Sequence, residues 1–436
     1  MYQYLNLSEV NQALAAFKLY SDLKIEYGAD NEVKKIYDEL LKTIGEYTKQ
    51  IDKLEKPSLK EPNDLETIKS LRTDGPRKLW DKIPDDIYDK MAGAVLGRFA
   101  GCILGVPVEG MSVEAMRKLA GDTNTAFPPV DYWNGVYNME GIQYGKTLRK
   151  KYTKSAMESV GVDDDVTYTL LGLLILEKYG YNLTTEDVGK AWLELLPVAC
   201  TAEDVALKNL KKGISAYEAA DIDNPFVQWI GADIRSDPWA YACAGYPEKA
   251  AELAHKDAYL SHRRNGIYGA MFFAAVEAAA FAVGTAEEAV RIGLSEIPSE
   301  CALYNDIVWA LEKSPEIHNY LDARKAVDER FAGMHVVHTN NNACLVVFGL
   351  MMGGGDFTKV ISEVVAMGLD NDCTGATAGS IMGALLGKKG ISEHWYKNFN
   401  NKVESYITGY PEFAIDDVVE RFIKLVKKLY GATVIL

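Results

Sequence analysis

An all-α fold is the class this sequence predicts. Apolar residues recur at three- and four-residue spacing, several segments open on helix-capping signatures, and no stretch sustains the two-residue alternation of a half-buried strand. Residues 1–85 read as a helical N-terminal extension. Within it, Val10 to Leu54 has charged faces beside apolar residues at helical spacing, as in the run from Val33 to Ile44. Pro57, Pro62, Pro76 and Pro84 then break the chain, with a linker-like stretch near 56–64. Residues 86–436 read as one large all-α domain. Its first helix, Tyr88 to Pro107, has Gly93, Gly97, Gly101 and Gly105 at every fourth position and ends just before Glu109. Asp163, Asp164 and Asp165 open the apolar run from Val166. Thr184-Thr-Glu-Asp and Thr285-Ala-Glu-Glu each combine a cap with an acidic first turn. From Gly368 to Gly387, Asp370 and Asp372 precede a second stripe, Gly375, Gly379, Gly383 and Gly387.

Each glycine inside a helix costs roughly 1 kcal/mol against alanine. Two stripes therefore predict helices that approach closely, against each other or against the acidic loops. The acidic residues exceed what capping needs, since one side chain normally suffices at a helix start. Buried carboxylates without a cationic partner are unfavourable. Asp163, Asp164, Asp165, Asp370 and Asp372, with Thr374 and Glu109, predict an all-oxygen site for hard divalent ions rather than zinc. Two clusters suggest two ions.

The formal charge of −15 and pI near 5.0 argue against non-specific nucleic-acid binding, which needs a cationic surface. Six scattered cysteines with no C-x-x-C spacing fit reduced thiols in a cytoplasmic protein. The N-terminus lacks the pattern of a signal peptide, and the most apolar runs, Met91–Val108 among them, read as core helices rather than membrane spans. Two polar loops stand apart. In Gln228–Trp239, Arg235 is placed to reach a phosphate or to pair with an aspartate; in Asp257–Tyr268, His262 reads as a base, a phosphate donor or a core histidine. His335 and His338 have zinc-like spacing without a nearby acidic or cysteine partner, and Asn340, Asn341 and Asn342 read as turn or capping residues.

The segments Gly93–Glu109, Val162-Asp-Asp-Asp165 and Asp370-Asn-Asp-Cys-Thr374 together resemble the ADP-ribosylglycohydrolase family, in its order, across about residues 86–430. The resemblance implies a bundle of packed helices around a binuclear magnesium or manganese centre. It also implies hydrolysis of an N- or O-glycosidic bond to ADP-ribose or a related ribosyl group. By position, the implied metal ligands are Asp163, Asp164, Asp165, Asp370, Asp372 and Thr374; Glu109 and Asp164 are the implied catalytic residues; and Asp233, Arg235, His262 and Asn265 would hold substrate. The implied partner is an ADP-ribosylated protein or a small ribosyl or nucleotide substrate, with no nucleic acid and no membrane. Departures are visible: Asp163 stands for the family's Thr or Ser, Cys373 precedes Thr374 where a Thr is usual, and Cys102 replaces an aspartate. The family's Gly-Asn-Gly-x-x-Met-Arg loop is matched only in part by Gly231-Ala-Asp-Ile-Arg235. A different nucleoside or ribosyl substrate on the same centre, or a non-catalytic ADP-ribose-binding protein, are the alternatives.

Overall fold

The structure is a computed structural model that describes residues 4–54 and 58–431. The chain forms two compact units, Met1–Leu59 and Lys60–Leu436. The first contains two helices, Ser8–Glu26 and Asp30–Asp52, joined at Gly28, whose φ of +83° ends the first helix at no steric cost. Lys18–Asp22 and Lys34–Asp38 are i,i+4 ion pairs that support these helices. Neither helix has a buried residue.

The second unit begins at Lys60, ahead of the expected boundary at 86. Of the linker expected near 56–64, residues 56 and 57 lie outside the described residues, and the remainder is pinned. Buried Glu61 pairs with Arg264 and accepts the Ala302 N–H at 2.9 Å, while the Asn63 carbonyl meets His255 Nε2 at 2.8 Å. Further along, Arg72 pairs with Glu248 and with buried Glu296, and the Leu79 N–H donates to the Gly245 carbonyl at 2.8 Å. The proline-broken stretch is thus bound to the helical core by charge and backbone hydrogen bonds.

Helices dominate this unit, and the described strands form two antiparallel pairs, Ile142–Gln143 with Thr147–Leu148 and Lys402–Ile407 with Tyr410–Ala414. At the centre, helix Ile87–Gly105 packs antiparallel on helix Asn371–Leu386 through both glycine stripes. A Cβ at Gly93, Gly97 or Gly101 would meet the backbone of Gly383, Gly379 or Gly375 at well under 3.0 Å, and one at Gly105 would meet Asn371 and Asp372. The stripes therefore set how closely the backbones approach. Their register puts the C-terminal end of the first helix, and Glu109 beyond it, beside the acidic N-terminus of the second. The first helix, through Val108, is long and apolar enough to cross a membrane by length and composition, but it is buried within the fold. Arg98 lies inside it, fully buried and paired with two aspartates.

Candidate metal centre and cleft

Three chain segments converge where the glycine helices meet. The helix Asp164–Tyr179 starts at Asp163, whose Oδ1 accepts the Asp165 N–H at 3.0 Å and so serves as its cap. Oδ2 of Asp163 is buried without a partner among the described residues. Asp165, the next ligand candidate, is held by Arg98 at 3.2 Å, and Arg98 also pairs with buried Asp237 at 2.6 Å. Before the second glycine helix, Gly368 and Leu369 both have positive φ, +76° and +66°. For leucine this conformation is strained, and strain of this kind persists where surrounding structure enforces it. The turn delivers Asp370, whose N–H donates to the Asn342 side chain at 3.2 Å.

The carboxylates form two overlapping groups. Oxygens of Glu109, Asp370 and Asp372 lie within 4.8 Å of one another, as do oxygens of Asp163, Asp165 and Asp372. Asp372 belongs to both. Crowding of like charge in a desolvated place raises the affinity of these groups for protons. Glu109, still reached by solvent, is pushed up to about 9, chiefly by the Asp372 carboxylate, then by partial burial and Asp164. Asp372 is raised to about 6, and Asp163, Asp165 and Asp370 are held well above the usual carboxylate range, burial being the leading cause for all four. Arg98 opposes the effect at Asp165.

The donor set fits hard divalent cations. It is all oxygen, and Asp163 Oδ2, Asp372 Oδ1 and Thr374 Oγ1 are buried with no hydrogen-bond partner among the described residues. Cys373 is in neither carboxylate group.

A cleft of about 120 Å³ opens onto this centre. Glu109, Asp164, Asp370 and Asp372 line it together with Tyr144, Tyr168, Glu203 and Trp229. Half-buried Asp164 is raised by burial, against which a hydrogen bond with Tyr144 works. Glu203 is pushed up to about 7 by burial, with Arg235 opposing. Trp229 stacks on His335 at 4.1 Å between ring centroids, and its backbone bridges His338, which caps the helix Thr339–Gly353. The two histidines are thus part of the cleft's support, and Asn342 is helical with its side chain turned to the Asp370 loop.

None of Asp233, Arg235, His262 and Asn265, expected to position substrate, lines the cleft. Arg235 is 2% exposed and bound to Glu203 at 2.6 Å and Asp257 at 2.7 Å, under the rings of Trp192 and Tyr168. Its guanidinium is committed to carboxylates, the second of the two readings its sequence allowed. His262 is fully buried with Nδ1 at 2.8 Å from Ser261 Oγ, and Asn265 binds Gln228 at 2.8 Å and the Leu303 N–H at 2.9 Å. Asp233 is buried against Gly269 and Thr339, and both of its carboxylate oxygens lack a hydrogen-bond partner among the described residues. Tyr144, Tyr168, Glu203, Trp229 and Arg98 were not anticipated. Trp229, Arg98 and Tyr168 lie in segments the sequence marked, but only the fold brings them together with Tyr144 and Glu203.

Residues 83–432 match the ADP-ribosylglycohydrolase family. The match spans most of the chain, and the protein belongs to that family. No curated protein matches it. Among solved structures it is similar to an ADP-ribosylglycohydrolase-related protein complex, with 18% identity, a TM-score of 0.54, and coverage of 79% of this chain and 99% of that one. At that identity the likeness bears on the fold alone.

Proposed function

We propose that the protein is a glycohydrolase dependent on two divalent cations, magnesium or manganese, that cleaves the N- or O-glycosidic bond of an ADP-ribosyl or related ribosyl group. The observation that supports this reading best is the sharing of Asp372 between two oxygen clusters at the foot of a cleft. Asp370 and Asp372 would hold one ion and Asp163, Asp165 and Asp372 the other, with the Thr374 hydroxyl a further donor and Glu109 beside the first ion. Bound there, two ions would orient ribose hydroxyls and a water and stabilise developing negative charge.

The remaining steps belong to the chain. Asp164, facing the cleft beside Tyr144, takes the proton of the attacking water. Glu109, which solvent still reaches, carries a proton to the departing atom. Acid–base assistance of this kind contributes roughly 10²–10⁴-fold in rate. Tyr168 and Trp229 provide flat apolar surface for the rest of the substrate.

The test is release of free sugar from ADP-ribosylated peptide and from nucleosides, with EDTA or with added magnesium or manganese. Turnover confined to the cation-loaded protein and lowered at least about 10²-fold in Asp164→Asn is the expected result. Equal turnover in EDTA overturns the proposal.

A further inference from the structure

The cleft is anionic and aromatic, and its lining side chains include no lysine, arginine or histidine. A bound diphosphate needs cations or free N–H groups at a helix N-terminus. The helix starts that open onto the cleft, at Asp164, Thr201 and Asn371, each have their own carboxylate in the first turn: Asp164, Glu203 and Asp372. Arg235, behind the cleft wall, already serves both Glu203 and Asp257, and Arg149, on the Glu109 side, donates to the Pro107 carbonyl. At Gly231 a Cβ would collide with the Glu203 carboxylate, which therefore lies directly against the backbone of that loop.

The same wall has an unused polar atom. Tyr168 is 3% exposed and lines the cleft, yet its hydroxyl has no hydrogen-bond partner among the described residues. Beside it Glu203, 2% exposed, presents an acceptor, and Trp229 adds an aromatic face. The cleft's 120 Å³ is well below the roughly 300–1,000 Å³ that encloses a drug-sized ligand, which suits one sugar and part of its substituent.

Resting on the glycohydrolase reading, we infer that the substrate is an N-ribosyl compound without a 5′-diphosphate, whose leaving nitrogen group has N–H donors that bind Glu203 between Tyr168 and Trp229. The C1′–N bond breaks, the oxygen of water bonds to C1′, and a proton of that water passes to nitrogen. Free ribose and the amine or amidine leave.

The deciding experiment compares a ribosylated arginine ester with its ADP-ribosylated counterpart, both with magnesium or manganese. The expected result is a kcat/KM at least tenfold higher for the ribosyl compound. Glu203→Gln should raise KM for that compound about tenfold while moving KM for a ribosyl ether lacking N–H donors less than threefold. Tyr168→Phe, which keeps the aromatic packing, provides a second variant if Glu203→Gln fails to fold; a KM raised at least threefold supports the subsite and an unchanged KM overturns it. Preference for the ADP-ribosylated compound, or loss of both ribosyl substrates to the same factor in Glu203→Gln, overturns the inference. Calorimetry of the two arginine compounds with magnesium separates the readings. If neither is turned over, the glycohydrolase reading fails; tighter binding of the ribosyl compound still supports the subsite, and tighter binding of the ADP-ribosyl compound or binding of neither overturns it.

Discussion

Asp372 has a position no other ligand candidate has, because both oxygen clusters use it. Removing it should abolish both ion sites, whereas removing Glu109 or Asp163 spares one cluster. A cation at about one hundred times its dissociation constant stabilises a folded protein by roughly 2.7 kcal/mol. We expect magnesium or manganese to raise the thermal midpoint of the wild type after EDTA treatment and to leave Asp372→Ala unmoved; an equal rise in both would refute the shared-ligand assignment. The same residues fix a pH dependence. Glu109 near 9 and Asp372 near 6 both lie above their unfolded values near 4. The folded ion-free protein therefore binds more protons than the unfolded chain. Stability is greatest below pH 4 to 5 for this contribution and is lost as pH rises through 6 toward 9. In EDTA, urea midpoints should fall between pH 5 and pH 9, and added magnesium should shrink the fall. A flat profile in EDTA would contradict the burial of these carboxylates.

The two glycine helices turn a local repeat into a long-range contact. Every fourth residue falls on one face, and with no side chain there the backbones meet. At Gly101 the obstacles to a Cβ are backbone atoms of Gly375 and Ala376, which have no rotamer through which to yield. Gly101→Ala should cost more than about 3 kcal/mol, at or beyond the usual range for overpacking. Gly121, in helix Val113–Asp122 with nothing within 4 Å of its would-be Cβ, is the contrast. Alanine there should gain up to about 1 kcal/mol. Urea denaturation of the two variants reads both signs, and equal effects would contradict the packing. The contrast also explains what was legible in the sequence. Stripes and contiguous aspartates are local patterns, so the central helix pair and the acidic ligand candidates could be read directly. The cleft wall could not, because Tyr144, Tyr168, Glu203 and Trp229 come from separate segments and nothing local brings them together. Arg235 could not be placed for the converse reason, since a buried arginine bound to two carboxylates has the same local sequence as one waiting for a phosphate.

For the whole molecule, the segment from Lys60 to the first glycine helix is where chain order and tertiary structure part company. Its prolines broke the chain into loops of an extension expected to pack on the main domain, and its ion pairs and carbonyls are used by residues about two hundred positions away. His255 makes this attachment sensitive to acid. Its ring is buried and hydrogen-bonded to the Asn63 carbonyl, and burial, partly offset by that bond, lowers it to about 4. The folded value lies below the unfolded 6.5, so as pH falls the unfolded chain takes up the proton first. Stability from this residue is complete above about pH 6.5 and is lost progressively down to about 4, some 3 kcal/mol in all at 1.36 kcal/mol for each unit. Asparagine at position 255 still offers an amide donor but does not titrate. With magnesium present, so that the carboxylate cluster contributes little slope, His255→Asn should lose about 2–3 kcal/mol less than wild type between pH 7 and 4.5 in urea titrations. Equal losses would mean that His255 is protonated in the folded state and that its contact with Asn63 survives the charge. The acid limb of stability would then fall to buried His262 and half-buried His338, both also lowered by burial. The ion-free protein is thus weakened by alkali at its centre and by acid at His255, and cation binding relieves only the first.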